Sequence, residues 1–203
     1  MIFLICWQLI SYYPGYTFSD AGAGSFAFPD ASTHQHYPAF LVCTQAQSMN
    51  LSNATVVATF TVSAEPGTEF RYGGQNSWNT GPRPASARLF FSTVAGYNNA
   101  GTGSTNYWFN SNWVEVANGT ATLVATFNPA DWTDAGGCAD CPPTTEANFW
   151  YAVSNVREVG LAFGGGDFYD VGIAATNGSA SFTLDYFGVT PKFKNYKQCF
   201  SSE

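Results

Sequence analysis

The sequence predicts an all-β fold, an antiparallel two-sheet β-sandwich with one short helix. Three observations predict it. Only 10% of the residues are charged while 17% are aromatic, and Gly, Ser, Thr and Asn are abundant, a balance that suits short strands joined by polar turns. Several stretches alternate apolar and polar residues with a period of two, as strands with one buried face do. Only one stretch spaces its apolar residues as a helix would, and a parallel α/β fold needs a helix between successive strands. The 203 residues suffice for one such domain with a substantial core.

In chain order, residues 1–10 (MIFLICWQLI) are apolar but short for a membrane span. No basic segment precedes them and no small-residue cleavage site follows before Ser11. Residues 1–14 are therefore set apart as a leader or a mis-called start, and 15–191 are read as a single domain that no linker divides. In the first clear strand Val56, Ala58, Phe60 and Val62 share one face, and Val57, Thr59, Thr61 and Ser63 share the other. Residues 88–93 form a further strand. Ala121, Leu123, Ala125 and Phe127 repeat the alternation, as do Val159, Leu161 and Phe163, then Phe182, Leu184 and Tyr186. The helix starts at Thr145, a capping residue, with Phe149, Ala152, Val153 and Val156 at helical spacing. Asn118-Gly119 and Asn177-Gly178 each separate alternating runs, which reads as a hairpin signal. Residues 192–203 change composition and read as a loose polar tail. Many strands and long loops give the sandwich a jelly-roll-like connectivity.

Charge narrows the partners. The net charge is −7, and the one basic cluster, Lys192, Lys194 and Lys197, lies in the tail. Arg71, Arg83, Arg88 and Arg157 are too sparse to track phosphates, so nucleic acid and anionic membrane surfaces are excluded as expected partners. A neutral ligand or a cation fits better. The five cysteines are Cys6, Cys43, Cys138, Cys141 and Cys199. With Cys6 in a removed leader, four remain, an even number that suits a secreted or cell-surface protein, with the pairings open. Cys138 and Cys141 lack the βαβ setting of a redox pair. The N-x-S/T sites at Asn50, Asn53, Asn118 and Asn177 arise readily in a chain of this composition, and no glycan is read from them.

Residues 160–172 (GLAFGGGDFYDVG) hold five glycines. A dinucleotide loop would need a helix after the run, and a P-loop a Gly-Lys-Ser/Thr ending. Neither pattern is present, and the glycines read as a bend between two strands. Four motifs carry a resemblance: residues 106–111 (NYWFNS), 128–133 (NPADWT), 156–166 (VREVGLAFGGG) and 181–184 (SFTL). Together they resemble a group of exported bacterial β-sandwich domains, some of which precede a PEP-CTERM-type sorting anchor, over roughly residues 16–189. The group is similar in type to jelly-roll carbohydrate-binding modules, and that implies a structural calcium. The chain departs from the group in two ways. No anchor pattern follows Val189, and Asp167 stands where related domains often carry Cys. The resemblance supplies no catalytic residue.

Three constellations bear on chemistry. Trp78, Tyr97, Tyr107, Trp108 and Trp113 lie in or beside Gly/Asn-rich stretches, where flat rings cover the apolar faces of sugars. Their alternative role is to close the ends of the core, as expected of Trp132, Phe149 and Trp150. Asp20, Asp30 and Asp185 stand near the first and last strands, where a sandwich could hold a structural calcium. Asp131, Asp134, Asp167 and Asp170 read as turn carboxylates. His34 and His36 with Cys138 and Cys141 would make a zinc set only if the fold joined distant segments, and no Gly-x-Ser-x-Gly elbow marks a hydrolase. The sequence thus leads to an exported, non-catalytic module for a polysaccharide or cell-surface component, with no diffusible cofactor. The alternatives are a structural or adhesive surface domain and, third, a glycoside-active enzyme with two facing carboxylates.

Overall fold

The computed structural model describes residues 2–3, 7–11, 17–18, 24–31, 37–74, 77–78, 84–95, 106–134, 146–165 and 172–191. The fold is all-β with one short helix. The first strands are β1 (Ile2–Phe3), β2 (Trp7–Ser11), β3 (Thr17–Phe18), β4 (Ser25–Ala27) and β5 (Pro38–Met49). Then come β6 (Ala54–Ala64), β7 (Glu69–Gly74), β8 (Ser77–Trp78), β9 (Ser86–Ser92) and β10 (Tyr107–Glu115). The rest are β11 (Gly119–Thr126), β12 (Trp132–Asp134), helix α1 (Glu146–Val153), β13 (Val156–Gly164), β14 (Ile173–Thr176) and β15 (Ala180–Pro191).

A five-stranded sheet runs β1-β15-β6-β11, with β4 also on β15. A seven-stranded sheet runs β12-β10-β9-β13-β5-β2-β3, and β14-β7-β8 form a small third sheet. The named strand pairs are antiparallel. The main core lies between the two large sheets. Val56, Ala58, Phe60 and Val62 of β6, with Phe182 and Val189 of β15, meet Leu41, Leu89, Phe91, Trp108, Leu161 and Phe163 of the seven-stranded sheet. The inward face read from the alternation of β6 is therefore the core face. Helix α1 buries Phe149, Ala152 and Val153 in the same core. Val156, counted into the helical pattern, instead opens β13. Among the described residues no helix is long and apolar enough to cross a membrane.

The seven-stranded sheet is buried on both faces. Its second face gathers Ile10, Phe40, Val42, Phe90, Tyr107 and Phe109 into a separate cluster. Such strands lose the alternation that marks one-sided burial, and β5 is buried without a break from Pro38 to Cys43. Part of the segment set apart as a leader or mis-called start is built into this sheet: Trp7 pairs with Cys43 and Leu9 with Leu41, and Leu9 is buried. Cys43 is disulfide-bonded; Cys6, Cys138, Cys141 and Cys199 lie outside the described residues.

Two expected hairpins are corrected. Asn118-Gly119 joins β10 of the seven-stranded sheet to β11 of the five-stranded one. Asn177, with a left-handed φ of 62°, and Gly178 join β14 of the small sheet to β15. These turns change sheets, and the strands they join pair elsewhere. Of the glycine-rich stretch, residues 166–171 lie outside the described residues; β13 ends at Gly164, and the next described element is strand β14. Gly165 packs where any Cβ would enter the Tyr72 ring. The tail, residues 192–203, lies outside the described residues.

Candidate functional site

An open cleft of about 570 Å³ lies at one end of the sandwich, within the range usual for small-ligand sites. Three distant segments form it: the β6–β7 turn with the start of β7, the residues leading into β9, and the β10–β11 connection. The turn is residues 65–68. Thr68 N–H donates to the Glu65 carbonyl at 3.1 Å, Pro66 takes the second position, and Gly67 the third with φ 86°. This is a type II turn, whose third position needs the positive φ that glycine tolerates. On the far wall Val116 N–H donates to the Ala85 carbonyl at 2.9 Å, tying the β10–β11 connection to the entry of β9.

The lining combines charge with apolar surface. Arg71 Nη2 meets Glu69 Oε2 at 3.2 Å, with both side chains substantially exposed, so the pair contributes about 0–1 kcal/mol. Arg71 Nε is buried and has no hydrogen-bond partner among the described residues. Glu115 and Asn118 also line the cleft, and Asn118 Oδ1 accepts the Ala64 N–H at 3.0 Å beside the turn. Pro66, Phe70 and Pro84 add apolar surface, with Phe70 braced edge-on by Phe28 at 5.0 Å. Donors and acceptors around apolar rings can bind a polyol by its hydroxyls and its C–H face together.

Glu65 closes the turn against β15. Its Oε2 accepts the Ser179 N–H at 2.9 Å. That backbone bond, and then the Ser179 hydroxyl, hold its carboxyl below the usual glutamate value. A lowered folded-state value stabilises the fold above the ordinary carboxylate range, and the gain is lost as pH falls through the folded value. Wild-type protein should therefore lose more stability than Glu65→Gln between about pH 5 and pH 3. Urea midpoints at both pH values measure this, and equal losses would show that the Ser179 bond is not formed in solution.

The aromatic residues expected in loops are distributed differently. Tyr107 and Trp108 are corrected: both lie in β10 and both are buried. Trp108 stacks parallel to Phe91 at 6.1 Å in the main core, and Tyr107 belongs to the second cluster. They leave the sugar-facing set because each face of β10 packs against other rings. Trp113 is half-buried. Val114 and Val116 reach the main core, so Trp113 points to the other face of the seven-stranded sheet. There it pairs with Arg88, whose guanidinium lies 4.5 Å from the Phe109 ring centroid. Trp78 pairs with Gly73 in β8, and its side chain, like the whole of Tyr97, lies outside the described residues. Trp132 and Phe149 are core rings as expected, whereas Trp150 is exposed and donates to Glu146 Oε1 at 3.1 Å.

The two described members of the expected calcium set, Asp30 and Asp185, do not converge. Asp20 lies outside the described residues. Asp30 bridges Ala175 at the small sheet. Asp185 accepts the Thr61 hydroxyl at 2.7 Å on the outer face of the five-stranded sheet. The antiparallel register Phe26↔Phe182 sends Asp30 and Asp185 in opposite directions. Seven residue rises then separate them, on the order of 20 Å. Among the described residues no group of three or more His, Cys, Asp or Glu could hold a metal ion. His34, His36, Cys138, Cys141, Asp167 and Asp170 lie outside the described residues. The cleft residues Glu65, Glu69, Arg71 and Glu115 were missed from sequence, and the Pro66-Gly67 pair is the one local signal that marks the place. Comparison with family models, with curated proteins and with solved structures finds no match for this chain.

Proposed function

We propose that the chain is an exported, non-catalytic module that binds a neutral glycan or another extracellular matrix component. The observation that carries the reading is the end cleft, where Arg71, Glu69, Glu115 and Asn118 surround apolar rings in an open volume of about 570 Å³. Loops and turns at the end of a rigid sandwich are a usual place for such contacts. The resemblance to exported bacterial sandwich domains supports the same reading and its jelly-roll connectivity. So does the pairing of β15 with β1, β4 and β6, which joins late and early strands.

Thermal unfolding with a panel of soluble polysaccharides tests it. A ligand that binds only the folded state raises the midpoint, by the equivalent of ~2.7 kcal/mol at a hundred times its Kd. The shift should vanish in Arg71→Ala and Glu115→Gln; Arg71 is half-buried and Glu115 exposed, so each variant's shift is read against its own ligand-free midpoint. A shift retained in these variants but lost in Trp113→Ala would move the site to the second face of the seven-stranded sheet. Release of reducing ends would replace the reading with a glycoside-active enzyme. Parallel runs with calcium and with EDTA test a structural ion.

A structural or adhesive surface domain is the second reading. It is favoured by the burial of Tyr107 and Trp108 and by the polar outer face of the five-stranded sheet. There Thr59 meets Thr122 at 3.0 Å and Thr61 meets Thr120 at 2.9 Å.

A further inference from the structure

Strand β11 ends the path of the five-stranded sheet, and among the described residues it pairs with β6 alone. Its eight residues, GTATLVAT, hold no charge and no proline, the two devices that commonly blunt an edge. Ala121, Leu123 and Ala125 pack inward, while Thr120, Thr122, Val124 and Thr126 are exposed, Val124 by 53%. The backbone polarity of this edge can be read from two observations. The Thr126 carbonyl turns away from β6 to accept the Asn128 N–H at 3.1 Å and the Trp132 indole N–H at 2.9 Å. The threonine hydroxyls of Thr120 and Thr122 touch those of Thr61 and Thr59, the close side-chain approach of non-hydrogen-bonded pairs. By the two-residue period, the N–H and C=O of Thr120, Thr122 and Val124 therefore face the open edge.

We propose that this edge pairs antiparallel with β11 of a second copy of the chain, around a two-fold axis at Leu123. Pairs across an antiparallel ladder share a face, so the axis must pass through a residue rather than between two. With Leu123 on the axis, Thr122 of each copy lies opposite Val124 of the other, and each such pair exchanges two backbone hydrogen bonds. Inward Ala121 then meets Ala125, and the threonine face continues from one copy into the next. The local charge of the edge admits a second copy as occupant. GTATLVAT is neutral and meets its own image without local repulsion, while the −7 of each chain opposes association at long range. A single eight-residue edge buries less than the ~1,200 Å² of a standard stable interface, so the dimer is weak and depends on concentration. Added salt strengthens it by screening the long-range repulsion.

Sedimentation velocity of the full chain, from micromolar to millimolar concentration and at low and high salt, tests the proposal. Wild type should pass from monomer to dimer with rising concentration, more readily at high salt. Thr122→Lys with Val124→Lys places ammonium groups opposite each other and should abolish the dimer. Thr122→Glu with Val124→Lys adds as many charges but places opposite signs together, and should dimerise at least as well as wild type. A wild type that stays monomeric throughout overturns the proposal, as does a dimer indifferent to the double lysine variant. Loss of the dimer in both double variants overturns the Leu123 axis. Assembly beyond a dimer points to another surface and overturns it as well.

Discussion

Phe182→Ala is expected to destabilise the protein by about 4 kcal/mol, within the range for truncating a buried phenylalanine. Phe182 is fully buried. Its ring stacks on Phe26 and Phe60, both at 5.0 Å, and meets Phe163 edge-on at 5.3 Å and Phe28 at 6.5 Å. These rings come from β4, β6 and β13, together with Phe28 just beyond β4, so the cavity left behind has walls on both large sheets and cannot collapse without moving one of them. The thermal midpoint should fall by roughly 10 °C for a chain of this length. Phe60→Ala alone should cost about 3–5 kcal/mol. The double variant should cost less than the two together, since each ring forms part of the other's wall. A loss below about 1.5 kcal/mol for Phe182→Ala would mean that the two sheets do not meet over this ring.

Gly160→Ala is expected to be at least as severe, although it adds one methyl group. Gly160 pairs with Val42 in the β13–β5 ladder. A Cβ there would run into the Leu41 carbonyl oxygen and lie 2.9 Å from both the Leu41 carbonyl carbon and Val42 Cα. These are backbone atoms of a strand paired on both sides, by β13 and by β2. A side chain could rotate away, but this backbone can move only by breaking its ladders. The expected result is loss of more than ~4 kcal/mol, read as collapse of the soluble yield and of the cooperative transition. A variant that melts within a few degrees of wild type would show that β13 and β5 stand farther apart than described.

These two residues also mark what the sequence could reveal. Phe182 was legible because β15 and β6 bury one face, and one-sided burial writes itself as alternation. Gly160 was legible only as part of a glycine-rich bend, since a contact with the neighbouring strand has no local sequence signal. Strands β5 and β10 were hidden because burial on both faces erases the alternation. In β10 the mixture of Asn, Tyr and Trp then reads as a ligand loop, and that is why Trp108 was assigned to solvent. The cleft was hidden for a different reason. Glu65, Arg71, Pro84 and Glu115 reach one place only after strands distant in sequence have paired. The two Asn-Gly turns were located correctly but misassigned, because a left-handed turn suits a change of sheet as well as a hairpin.

Strand β15 lies inside the five-stranded sheet, flanked by β6 on one side and by β1 and β4 on the other. It is also made 115 residues after the end of β6. At ~5–20 residues per second, a ribosome needs on the order of 6–23 s to pass from one to the other. Until then Phe60, Val56 and Val62 have no β15 beside them, and β6 keeps an open edge. The nascent chain must spend that interval unfinished, with a sticky half-sheet that a chaperone or an unfolded export route would have to shield. Closure is then a late and non-local event, and the strand that completes the sheet also sets the earliest moment at which the protein can exist.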